Sequence, residues 1–396
     1  MPFGEWIIDR LPSSKRAVRQ ARDEIDALRR ENAELSERLG RIEGMVSGLG
    51  PQLADAAGRL GGIEAGLRGI AEQGARSEVL EWSLYRREGE GDAAARRRLF
   101  SEMPAVGDLS RLLQLGCDQL LADFDAICAR EGLAYWALSG TLLGAVRHGG
   151  FIPWDDDLDL GMMRADIRTL ESACAGTAFE VSVQLDPVGV CRQVRFRRRD
   201  ARNPCFIDLF IHDWSALDAD AAYDARCVRR EAFDRALFAD PKLVEARAAW
   251  DPHAVEQDPA EGAWLAGLFD RAVADLREAG AIGPREGARS IVWSVDDLGG
   301  RFAYPAAFPV GDVFPCARLP FGYGSVLAPA AAPEILHRIY GDYLQLPGDI
   351  KTHFRHVDDR ALRRHEVQDA IAATLSPERR AEFDEVLASW NEALPR

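Results

Sequence analysis

The acidic run WDDDLDLG, residues 154–161, has the residue types and spacing to hold a hard cation against a polyphosphate. On a strand, alternate side chains share a face, so Asp155, Asp157 and Asp159 would stand on one side, each about 7 Å from the next. Leu158 and Leu160 would turn the other way, into an apolar layer. Two such carboxylates can grip one ion between them. Mg²⁺ suits that arrangement because it takes one or two carboxylates and keeps waters and substrate phosphates on its remaining positions; Mn²⁺ is the alternative. The chemistry implied is phosphoryl transfer. The plainer reading, a solvated turn after Pro153, leaves unexplained the glycine-punctuated segment SGTLLGAVRHGG just before it. A calcium loop fits poorly, with Leu160 where that loop needs glycine and Asp166 where it needs glutamate.

Such carboxylates need elements to aim them. Tyr135 to Leu138 reads as a short apolar strand, and Ser139, Gly140 and Thr141 as a turn into a short helix ending at Arg147. Free N–H groups at that helix start would face an anionic ligand. Gly140 lets the backbone come close to it, while the hydroxyls of Ser139 and Thr141 either cap the helix or touch phosphate. Arg147 and His148 close the helix, complementing its dipole or clamping a phosphate. A second strand, Phe206 to Ile211, carries Asp208 in opposite parity to Ile207, Leu209 and Ile211. A carboxylate among such neighbours is costly unless paired or metal-bound. Val190 to Arg199 alternates as a further strand, joined to it by a turn at Asn203 and Pro204. Its Arg195 would neutralise a diphosphate or guard an edge strand.

The span GTLLGAVRHGGFIPWDDDLDLGMMRAD resembles the signature of the LicD family, which includes the fukutin-related proteins, within the nucleotidyltransferase-fold superfamily. That resemblance implies an α/β (α+β) nucleotidyltransferase-like core with helical insertions. It also implies that the glycine turn binds phosphate, that Asp157 and Asp159 are paired metal ligands with Asp155 an additional one, and that the later ligand, in CFIDLFIHDW, is Asp208. The implied donor is cytidine-diphosphate-linked, such as CDP-choline or a CDP-polyol, and the acceptor a glycan hydroxyl, with CMP released. Residues 115–215 carry the likeness well and 300–356 more loosely, the latter through PEILHRIYGDYLQLP, where Gly341 is also a helix stop on physical grounds. Two other readings are a nucleotidyltransferase using the same aspartates on a nucleoside triphosphate, and a non-enzymatic coiled-coil scaffold with a degenerate domain, against which the intact Asp157, Asp159 and Asp208 speak.

The first part of the chain is a different object. Val18, Ala21, Ile25, Leu28, Leu35, Leu39, Ile42, Val46 and Leu49 keep the three-and-four spacing of heptads. With Ile25 at position a, Asn32 falls at the next a, which favours a parallel two-stranded coiled coil and hence a homodimer. The pattern resumes past Gly50 and Pro51 as far as Ile70. The expected divisions are a coiled-coil stalk at 1–78, a charged, helical linker at 79–105, a catalytic domain at 106–360 with a helical insertion at about 217–284, and a C-terminal helical tail at 361–396. At 396 residues and 47% hydrophobic, the chain can bury one sizeable core besides the stalk. A net charge of -15 argues against nucleic-acid binding. Seven cysteines without a CxxC pair point to a reducing cytoplasm. No apolar run is long enough to span a bilayer, so the expected location is cytoplasmic, with peripheral contact at the inner membrane face through Phe3, Trp6, Ile7, Ile8 and Leu11 as the membrane option.

Overall fold

A computed structural model describes residues 18–45, 59, 62, 66, 85–186, 190–249, 259–297, 306–345 and 356–393. The chain divides into two compact units, residues 1–88 and 89–396. In the first, residues 18–45 form one helix (α1) with every residue exposed. The heptads expected beyond Met45 lie outside the described residues save for positions 59, 62 and 66, as does the amphipathic opening Met1 to Arg16.

The second unit is a mixed α/β fold built on a seven-stranded sheet. The segment expected as a linker carries a helix, α2 (Asp92–Glu102), whose Ala95 and Phe100 are buried. Next comes α3 (Leu109–Glu131), started by the Asp108 side chain accepting from the Ser110 N–H and stopped by Gly132 in the left-handed region. Its apolar stripe, Leu112, Leu113, Leu120, Leu121 and Phe124, is buried in the core. β1 (Tyr135–Ala137), α4 (Ser139–Arg147), β2 (Asp159–Met163) and α5 (Arg164–Cys174) follow, then β3 (Phe179–Asp186), β4 (Cys191–Arg198) and β5 (Phe206–Ser215). The expected alternation in β4 holds, with Val194 and Phe196 buried and Arg195 and Arg197 on the opposite face.

Among the described residues, three helices occupy the inserted region: α6 (Ala219–Phe238), α7 (Pro241–Ala249) and α8 (Pro259–Glu278). β6 (Ser290–Trp293) and β7 (Ala307–Pro309) rejoin the sheet; α9 (Val310–Val313), the hairpin β8 (Ala317–Phe321) and β9 (Gly324–Ala328), α10 (Ala332–Tyr340), α11 (Asp359–Leu362), α12 (His365–Ala372) and α13 (Pro377–Ala393) complete the unit. The C-terminal helices pack on α3: Phe383 is buried, Arg379 pairs with Asp118 at 2.7 Å, and Arg111 with Glu382 at 2.7 Å. Among the described residues, no helix is long and apolar enough to cross a membrane.

Strand β5 organises the sheet. It runs parallel to β2 on one side and antiparallel on the other side to β4 along its first half and β6 along its second. One strand thus touches three others, and its first half sets the site.

Candidate active site

The acidic centre is set by strand register. The β2–β5 pairing puts Asp159 directly beside Asp208, and the β4–β5 pairing puts Arg195 on the far side of Asp208. A row of Asp159, Asp208 and Arg195 therefore crosses three strands. Asp157 reaches the same point from the loop ahead of β2, and the carboxylate oxygens of Asp157, Asp159 and Asp208 lie within 4.8 Å of one another. That is close enough to share one cation.

The strand begins at Asp159, so the expectation that Asp155 and Asp157 would ride on it does not hold. Residues 155–158 are instead pinned as a loop by tertiary bonds. Gln114 Nε2 donates to the Asp155 carbonyl at 2.8 Å, and buried Asp156 accepts from the backbone N–H of His356 at 2.8 Å and of Val357 at 3.2 Å. Leu158 and Leu160 are buried as expected. Asp155 lines the same pocket but stands outside the close triad, with its carboxylate against Gly140: a Cβ there would lie 2.7 Å from Asp155 Oδ2. Glycine is needed at 140 for that approach.

Asp159 is held from both ends. Its N–H donates to Thr141 Oγ1 at 2.7 Å, its carbonyl accepts from Leu138 N–H at 3.0 Å, and its carboxylate accepts from the Gly140 N–H. The helix start expected to face an anionic substrate thus already faces an anionic side chain. Burial, then the charges of Asp157, Asp155 and Asp208, push Asp159 well above the usual carboxylate range, against the Gly140 bond. Asp157 is pushed up to about 7, first by burial and then by Asp155, Asp208 and Asp156, with His356 opposing. For His356 itself, burial works against the charged form, yet the hydrogen bond to Asp156 and the charges of Asp157, Asp156 and Asp208 prevail and raise it. Hard oxygen donors, crowded and desolvated, form a set that a divalent cation neutralises, so the residues fit the metal expected for them.

These groups line one cavity of about 620 Å³, together with Ser139, Gly140, Arg147, Trp154, Arg192, Asp296, Asp297, Tyr340, Tyr343 and His356. Ser139 sits there with φ of 43°, a strained value for a residue with a side chain. Several expected ligand contacts are otherwise engaged. Thr141 is buried away from the cavity lining, and its hydroxyl accepts from the Asp159 N–H. Arg195 does not line the cavity; its Nε donates to Asp208 Oδ1 at 2.7 Å and its guanidinium lies 4.0 Å from the Phe206 ring centroid, so it offsets the charge of Asp208. His148 is also off the cavity, edge-on to Phe100 at 5.3 Å, and burial followed by the charge of Arg147 lowers it to about 4. Arg147 does line the cavity, but its Nη1 donates to the carbonyls of Tyr343 at 3.0 Å and Gln345 at 3.3 Å. Its Nε has no partner among the described residues, and burial lowers the guanidinium to about 10.

The far wall escaped the sequence reading. Arg192 pairs with Asp296 at 3.1 Å and reaches Asp270 at 2.8 Å, tying α8 of the insertion to the cavity. Arg164 pairs with Asp213 at 2.8 Å and with Asp296 at 2.5 Å. Buried as it is, Asp296 is held below the usual range by Arg164 and Arg192. The stretch IVWSVDD, residues 291–297, has the same form as the first acidic motif, an apolar strand beside aspartates, and was its one local signal. His356 offered none.

Residues 132–214 match the family described as LicD/FKTN/FKRP, nucleotidyltransferase domain. That span contains Asp155, Asp157, Asp159 and Asp208. Over 113 residues the chain is 35% identical to the lipopolysaccharide cholinephosphotransferase LicD of Haemophilus influenzae, a match covering 25% of this chain and 43% of the relative. Over 40 residues it is 52% identical to the human ribitol 5-phosphate transferase FKRP, covering 10% of this chain and 8% of the relative. An uncharacterized protein of Rickettsia prowazekii is 54% identical over 48 residues, 12% of this chain and 18% of its own. The chain thus spans less than half the length of each of these relatives.

Proposed function

We propose that this chain, through its LicD-family domain, is a metal-dependent phosphotransferase moving a phospho-alcohol group, such as phosphocholine or a polyol phosphate, from a CDP-linked donor to a glycan hydroxyl with release of CMP. The observation that carries this reading is the convergence of Asp157, Asp159 and Asp208 on one point of a cavity. Those three would hold Mg²⁺ or Mn²⁺, which when bound supplies positive charge to a diphosphate. The remaining chemistry belongs to the chain. Ser139 and Gly140 form the wall nearest the acidic centre, and Arg147 and His356 add donors around it. Arg195 offsets one negative charge of Asp208 and fixes its orientation, which leaves Asp208 a ligand more than a proton acceptor. Phosphoryl transfer through a loose transition state asks little of a base, so alignment and charge carry the rate. The likeness to a Haemophilus cholinephosphotransferase and a human ribitol 5-phosphate transferase supports a phospho-alcohol as the transferred group.

The test is product analysis. The full chain with Mg²⁺ is incubated with CDP-choline, CDP-glycerol, CDP-ribitol or nucleoside triphosphates, with Asp157→Asn alongside. CMP released from one CDP compound, and lost in the variant, is the expected result. Pyrophosphate released from a triphosphate would make the protein a nucleotidyltransferase instead. Neither product, with no Mg²⁺-dependent binding of CDP compounds by calorimetry, would leave the scaffold.

A further inference from the structure

We propose that the helix at 18–45 is one strand of a parallel, in-register coiled coil formed with the same helix of a second copy of this chain. The helix carries an apolar seam that nothing within its own length can bury. Val18, Ile25, Leu28, Leu35, Leu39 and Ile42 are 46% to 63% exposed. All six occupy a or d positions of one uninterrupted heptad frame, with Ala21 and Asn32 filling the other two. A helix of this length draws most of its stability from packing an apolar face, so the seam calls for an occupant.

The charges flanking the seam select that occupant. In a parallel pair, each g position faces the e position five residues on in the other chain. Glu24 then meets Arg29 of the partner subunit, and Arg38 meets Glu43 of the partner subunit. By symmetry each contact occurs twice. Glu31 faces Ser36 of the partner subunit, so no like charges oppose. Within one helix, Arg29 meets Asp26 at 3.4 Å, an exposed contact of the weak kind, and so remains able to reach across.

Asn32 fixes the direction. Antiparallel pairing seats a against d, which would set each Asn32 against Leu28 or Leu35 of the partner subunit and strand its amide in apolar surroundings. Parallel in-register pairing sets Asn32 against Asn32 of the partner subunit, where the two amides bond to each other. One buried asparagine is also a known means of holding a coiled coil to two strands.

Full-length protein in sedimentation equilibrium should behave as a dimer of twice the 43.7 kDa chain. Arg29→Glu should weaken dimerisation roughly tenfold, since it sets a like charge against Glu24 twice per dimer, and added salt should shrink that loss. The double change Glu24→Arg with Arg29→Glu should restore the dimer, which a merely unfolded helix would not do. Asn32→Cys should give a disulfide-linked dimer under mild oxidation, a bond that needs the two positions to face each other. A monomeric wild type overturns the proposal. So does a double variant no stronger than the single one, or a dimer of the Asn32→Cys variant that fails to cross-link.

Discussion

Substituting Asp157 by asparagine should make the metal-free protein more stable while removing its response to Mg²⁺. Asp157 titrates at about 7 in the fold against an ordinary 3.8. The folded state thus holds its proton more tightly than the unfolded chain does. The ionised carboxylate costs nothing below pH 3.8, an increasing amount as pH rises from there to 7, and its full amount above 7. At ~1.4 kcal/mol per pH unit, the full cost is about 4 kcal/mol were Asp157 to carry it alone. Asp155, Asp159 and Asp208 share the repulsion, and a neutral amide at 157 relieves only part of it, so about 2 kcal/mol is the gain expected at pH 8. Urea unfolding with chelator should show the variant ahead at pH 8 and level with wild type near pH 4. Saturating Mg²⁺ should then reverse the order, because wild type gains about 2.7 kcal/mol at a hundredfold excess over the dissociation constant and the variant does not. A variant less stable than wild type at pH 8 without metal, or ahead by the same margin at every pH, would refute the account of a strained acidic cluster.

Three other expectations follow from single contacts. Arg195→Gln should lower metal-free stability at pH 8 by about 1–3 kcal/mol in urea unfolding, because Asp208 loses a charge-assisted partner at 2.7 Å. Thr141→Val should cost a similar ~1–3 kcal/mol by orphaning the buried Asp159 N–H, and in a donor-release assay should lower kcat with little change in KM; a change confined to KM would return Thr141 to phosphate binding. His212 is a fully buried residue of β5, and burial lowers it to about 4 from 6.5. Here the unfolded chain binds the proton first, so stability is complete above pH 6.5 and falls by about 3 kcal/mol on the way to pH 4. His212→Phe should flatten that part of the pH profile, and parallel profiles for the two proteins would count against it.

What could be read from the chain was whatever depends on near neighbours. The alternation around Asp208, the helix running from Ser139 to Arg147, and the apolar faces of β4 and β5 all follow from residues within a few positions of one another. The start of β2 did not, because Asp156 is claimed by backbone groups about two hundred residues later and the loop ahead of the strand bends to meet them. Thr141 and Arg195 show the same limit. A hydroxyl beside a glycine turn suits a phosphate as well as a strand N–H, and an arginine on a strand suits a diphosphate as well as a carboxylate. Only the pairing register chose, by placing Arg195 opposite Asp208. Arg192, Asp296 and His356 come together from three distant parts of the sequence, with no spacing to announce them.

The cavity is built by two kinds of chain. Its carboxylates and glycine turn lie inside the span shared with the LicD relatives, whereas Asp296, Asp297, Tyr340, Tyr343 and His356 lie beyond residue 214. The matched span thus supplies the acidic centre and the glycine beside it, and segments later in the chain supply these other side chains of the cavity. Under the proposed activity, substitutions in those later segments should change which donor is accepted while the acidic centre keeps its register-set geometry.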